Sequence, residues 1–162
     1  MAPTVPKVKV ADEVWIVTAL LHRESPRKAD FTIHEILARA DKEKVFGQLR
    51  PGVQVHASLH CGANRAPNPG AYWMLSATGK RTRRLCRPDD EAHPDRDGKM
   101  IPNREEIPSR YHGLLDWYER AYAHNQQAAE ARYAPLHRLF GLGRAVWKGV
   151  DPDAYVRSLR QD

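Results

Sequence analysis

Between Pro51 and Pro88 the sequence contains neither aspartate nor glutamate, yet six lysines and arginines fall in that block. A solvated polar surface ordinarily mixes signs. An acid-free basic block is the electrostatic footprint of a surface that meets a polyanion. The net charge of +6 is therefore localised: residues 11–50 carry seven bases and seven acids, and residues 89–125 carry nine acids against five bases. Also missing is any run of about 18 apolar residues, which excludes a membrane-spanning helix. Cysteine is scarce, and Cys61 and Cys86 are too few for a disulfide scaffold. The opening "MAPTVPKVKV" lacks the apolar block of a signal peptide, so the expected setting is cytoplasmic, with both thiols free. There is no phosphate-binding glycine loop and no nucleophile elbow, and the His pair at 56 and 60 lacks the glutamate of a metalloprotease. An enzyme is not expected.

What is present starts with helices. Val14, Trp15, Val17, Leu20 and Leu21 recur at helical spacing behind Asp12 and Glu13, which predicts a first helix over 12–24. In "FTIHEILARADKE" Thr32 and Glu35 form a capping box, and Phe31 with Ile36 a hydrophobic staple. A second helix over about 33–44 follows. The next stretch, "RPGVQVHASLHCGANRA", reads as a third, small helix. Val55, Leu59, Gly62 and Ala63 share its expected apolar face, Gln54, Ser58 and Arg65 a second, and His56, His60 and Asn64 a third. Two strand-like runs, 71–76 and 82–87, are joined through Thr78 and Gly79, with Gly79 expected to supply a positive φ. Helix, helix, small polar helix and basic hairpin is the order of a winged helix-turn-helix, and residues 11–88 resemble small bacterial winged-helix proteins in that pattern.

In that arrangement the third helix enters the major groove. The candidate base-reading residues are Gln54, Ser58, His60, Asn64 and Arg65, because amides suit adenine and guanidinium suits guanine. Within the block itself no acid accompanies Lys80, Arg81, Arg83, Arg84 and Arg87, and none is expected to neutralise them. Lys80 and Arg81 at the hairpin tip are expected to hold DNA phosphates. Arg83 and Arg84 alternate faces on one strand, so one of the two is expected to join them. His56, His60, Cys61 and Cys86 are zinc-binding residue types, but no C-x-x-C knuckle is present and no metal or other cofactor is expected. The acid pairs Asp89/Asp90 and Glu105/Glu106, with His93, are the residues that a metal-dependent nuclease would use, the least favoured reading.

After residue 88 the composition changes. Residues 89–108 are rich in Asp and Pro and read as a wrapping loop. Residues 109–140 read as a helical extension, in which Tyr111, Leu114, Leu115, Tyr118 and Tyr122 form an apolar stripe with Trp117 beside it. The tail, 141–162, holds Trp147 between glycines and a short amphipathic segment capped by Asp151, with Tyr155, Val156 and Leu159 as its apolar edge and Arg157 and Arg160 on one flank. Such a segment suits another protein's groove.

Gly141, Gly143, Arg144, Val146, Trp147, Asp151, Asp153, Ala154, Tyr155, Val156, Arg157, Leu159 and Arg160 resemble the C-terminal segment of bacterial antitoxins that partner PIN-domain ribonuclease toxins. The likeness covers about 20 residues and departs at Gln161-Asp162, where such tails continue into Gly-Trp. It implies that Arg157 or Arg160 enters the toxin's acidic metal site, that Trp147 and Tyr155 anchor the tail, and that the DNA-binding domain acts on its own promoter. The expectation is thus a mainly α fold with a small β-hairpin that binds double-stranded DNA as an autoregulating antitoxin. Its rival is a stand-alone regulator or defence-system module whose tail serves as a homodimerisation arm.

Overall fold

The computed structural model describes residues 7–68 and 70–124. All of them belong to one compact unit, Met1–Asn125. It is mainly helical, with a small three-stranded antiparallel sheet.

Helix α1, Val10–Glu24, is the centre of that unit. Every side chain from Ala11 to Ala19 is buried, so this stretch of the helix is enclosed all round by the elements that follow it in the chain. Asp12 and Glu13, read from sequence as favourable charges at the helix start, are themselves fully buried. Each is paired: Arg50 reaches Glu13 at 2.5 Å and Lys99 reaches Asp12 at 2.8 Å. Lys99 also bridges to Glu106 at 2.5 Å, which fastens the acidic loop to the start of α1.

Strand β1, Phe31–Thr32, leads directly into α2, Ile33–Glu43. The capping box is formed in both directions: Glu35 N–H donates to Thr32 Oγ1 at 3.1 Å, and Thr32 N–H to Glu35 Oε2 at 2.8 Å. Phe31 and Ile36 are both buried in the core. Lys44, in the left-handed region at φ 53°, ends the helix, and Gly47 at φ 97° turns the chain. Helix α3 then begins as an α-helical turn, Gly52–Val55, and continues as a wider π-helical turn, His56–His60.

The hairpin is shorter than the sequence suggests, with β2 at Leu75–Ala77 and β3 at Thr82–Leu85. β1 adds to the far side of β3, giving the order β1-β3-β2. Phe31 pairs with Arg83, and Ala77 with Arg83 from the other side. Helix α4, His112–Trp117, extends into a π-helical turn at Tyr118–Tyr122. Its expected stripe is buried at Tyr111, Leu114, Leu115, Tyr118 and Tyr122. Tyr118 packs edge-on to Trp15 at 5.7 Å, so the first part of the extension lies on α1.

His22 sits where α1, β1, β3 and α4 meet. Its ring lies 4.9 Å from that of Phe31 and 4.8 Å from that of Tyr122, and its Nε2 accepts the Leu85 N–H at 3.3 Å. Burial, reinforced by the charges of Arg87 and Arg84, lowers its pKa to about 3. The unfolded chain therefore binds a proton that the folded chain refuses between about pH 6.5 and pH 3. Stability is present above that window and falls as pH falls through it, by about 1.4 kcal/mol per unit. Urea unfolding at pH 7 and pH 5 should differ by about 2 kcal/mol from this residue. The His22→Gln variant should lack that share of the slope; an unchanged slope would refute the assignment.

Candidate nucleic-acid interface

The hairpin tip is Gly79, Lys80 and Arg81, closed by a Thr78–Thr82 hydroxyl pair at 2.8 Å. Gly79 does not adopt a positive φ, contrary to the expectation from sequence. The space there is tight instead: a Cβ would stand 2.7 Å from Thr82 Oγ1 and the hydroxyl would have to move. Lys80 and Arg81 project from this tip exposed to solvent. Among the described residues, no hydrogen bond or ion pair engages their side chains.

The other hairpin cations are used by the fold. Arg83 is 1% exposed, so it cannot meet DNA. Its guanidinium donates to the carbonyls of Ala57 at 3.1 Å, Ser58 at 2.9 Å, Thr82 at 2.8 Å and Gly79 at 3.2 Å, joining the end of α3 to the hairpin. Arg84 turns the opposite way and forms a two-pronged pair with Asp90 at 2.5 and 2.6 Å. Asp90 lies just beyond the acid-free block and also accepts the Arg87 N–H at 2.7 Å. The Arg87 guanidinium lies over the Tyr122 ring at 4.4 Å and donates to the Tyr122 carbonyl at 3.2 Å. The expectation that one of Arg83 and Arg84 stays available is therefore corrected. Neither does.

The remaining predicted residues divide in the same manner. Asn64 pairs through both ends of its amide with the backbone of Ala77, each bond 2.9 Å, and extends the sheet edge. His60 Nδ1 contacts the Asn68 carbonyl, and its ring stands edge-on to His56 at 4.8 Å. Gln54 and Arg65 are exposed and Ser58 is half-buried. None of those three side chains is engaged among the described residues. Arg65 is close enough to Arg83 for its positive charge to lower the Arg83 pKa, behind the larger effect of burial. The structure thus leaves Gln54, Ser58, Arg65, Lys80 and Arg81 available from the nine residues the sequence nominates.

The buried face of α3 also differs from expectation. Val53, Ala57 and Cys61 are fully buried, whereas Val55 and Leu59 are 42% and 41% exposed. Small side chains let α3 approach α1 closely; a Cβ on Gly52 would meet Val10 at 3.4 Å. The wider second turn of the helix carries the same side round at four-residue intervals.

One residue central to this site goes unread in the sequence. Arg96, from the acidic loop, is 2% exposed and donates to six backbone carbonyls. Two belong to the end of α3, Leu59 at 3.0 Å and His60 at 2.6 Å. The others are Arg65 at 2.9 Å, Ala66 at 3.3 Å, Gly70 at 3.1 Å and Tyr72 at 3.0 Å. Together Arg83 and Arg96 satisfy the consecutive carbonyls of residues 57 to 60, which a helix end leaves without partners. Each places its positive charge at the negative end of the helix dipole. Position in an acid-rich stretch concealed Arg96, which appears in sequence as one more solvated charge.

Burial pushes the thiols of both Cys61 and Cys86 up to about 12, which keeps them protonated. No group of three or more His, Cys, Asp or Glu among the described residues is placed to hold a metal ion. Of the acid pairs, Asp90 and Glu106 are each engaged by cations. No helix among the described residues is long and apolar enough to cross a membrane. The tail residues Trp147, Tyr155, Val156, Arg157, Leu159 and Arg160 lie outside the described residues. The chain has no significant match to a family model, a curated protein or a solved structure.

Proposed function

We propose that the unit forms a winged helix-turn-helix that binds double-stranded DNA in a sequence-dependent manner, with α3 in the major groove and the hairpin tip on the phosphate backbone. One observation carries this reading. A strand between α1 and α2 pairs with the second strand of a hairpin that follows α3, in the order β1-β3-β2. That connectivity sets a short helix beside a hairpin that ends in exposed cations, the geometry with which such domains straddle a groove and its flanking backbone. The basic potential is narrower than composition implies, because Arg83, Arg84 and Arg87 have structural partners. Arg65, Lys80 and Arg81 remain for phosphate. Gln54 and Ser58 remain for base edges.

The test is duplex binding as a function of salt. With three phosphates neutralised, log K against log salt should have a slope of about −3. Absence of binding at low salt would overturn the proposal. On its sequence, the tail extends the reading to an autoregulating antitoxin, with Trp147, Tyr155, Val156 and Leu159 as anchors and Arg157 or Arg160 in the acidic site of a PIN-domain toxin. Co-purification with a PIN-domain ribonuclease encoded next to this chain, lost on truncation after residue 140, tests that extension. A homodimer lost on the same truncation would replace it with the dimerising regulator.

A further inference from the structure

Helix α3 carries no lysine or arginine from Gly52 to His60, the cations that most often read guanine. Its exposed side instead presents Val55 and Leu59, four residues apart and so one turn above each other, beside the amide of Gln54. His56 and His60 do not supply a guanine donor in their place. Their Nδ1 atoms are committed to the carbonyls of Gly52 and Asn68, and the two rings pack on one another. Arg65 stands beyond the end of the helix.

We propose that α3 selects A·T base pairs, with Val55 and Leu59 packed on the C5-methyl groups of thymine and Gln54 hydrogen-bonded to adenine. The inference rests on the DNA-binding reading above and adds what kind of duplex is read. Apolar side chains in a major groove find one complementary surface there, the thymine methyl, and a glutamine amide matches the N6 and N7 edge of adenine. Four residues of α-helix rise about 6 Å and the wider turn here rises less, so the two side chains reach thymines about one base-pair step apart. The cations at the hairpin tip supply the complementary charge that keeps this apolar face against the duplex rather than against another apolar surface.

The experiment uses the full chain and a randomised duplex pool. Sequences enriched over several rounds should carry A·T pairs at two nearby positions. The best duplex, resynthesised with uracil for thymine, should bind about ten-fold more weakly, since two methyl groups lose their apolar contact. The Leu59→Ala and Val55→Ala variants, exposed positions whose thermal unfolding should match the parent, should each show a smaller difference between thymine and uracil duplexes. Enrichment of G·C pairs, or equal affinity for both duplexes, overturns this inference and leaves DNA binding standing. Failure to bind any duplex overturns the DNA-binding reading itself. A change in sedimentation on Leu59→Ala, without change in duplex preference, would assign the stripe to contact between copies and also overturn the inference.

Discussion

Replacing Arg96 with alanine is expected to remove about 4 kcal/mol of folding stability, measured by urea unfolding at neutral pH. Among the described residues the guanidinium is held by six backbone carbonyls, and it is sealed from water. Among the described residues no carboxylate joins the cluster, so the attraction there is between one delocalised cation and a ring of carbonyl dipoles. Alanine would leave several of those oxygens buried without donors, at about 1–3 kcal/mol each. Arg96→Lys keeps the charge but offers a compact ammonium in place of a planar fork with five donors. It should recover less than half of the loss. Amide exchange in residues 57–63 should accelerate in both variants, because the end of α3 loses its partners first. A change under about 1 kcal/mol for Arg96→Ala would mean that water replaces the guanidinium without strain, and the assigned role would be wrong.

The double replacement Lys80→Ala/Arg81→Ala should lower the salt slope of DNA binding by about 2 and weaken affinity by ten- to a hundred-fold at moderate salt. Both residues are exposed, so unfolding should be unchanged to within about 0.5 kcal/mol. Arg84→Ala is the informative contrast. From sequence it belongs with the phosphate-binding cations, but in the structure it neutralises Asp90 while both side chains are mostly shielded from solvent. Its removal should reduce stability and leave the salt slope unaltered. A slope that falls with Arg84→Ala and not with the tip replacements would reverse the assignment of the hairpin.

Much of the helical framework needed only neighbours along the chain. The capping box at Thr32 and Glu35 is a contact between residues three apart, and the stripe from Tyr111 to Tyr122 follows from the helical period. Both were legible because their geometry is complete within one element. β1 was not, since two residues have no pattern and become a strand only when β3 lies alongside. The buried face of α3 differs from the helical-wheel expectation for a related reason: Val53, Ala57 and Cys61 are buried by the closeness of α1, and that closeness is not a property of α3. The largest difference concerns the cations. Composition gave their number and their grouping correctly, but electrostatic partnership depends on distance in space. Asp90 returns to Arg84 across a short turn, Tyr122 reaches Arg87 from 35 residues away, and the carbonyls at the end of α3 enclose Arg83 and Arg96. The sequence by itself determined α1, α2 with its cap, the apolar stripe from Tyr111 to Tyr122 and the excess of positive charge. Only the tertiary structure decided which charges remain exposed, because burial and pairing depend on which groups the folded chain brings within bonding distance, whatever their separation in sequence.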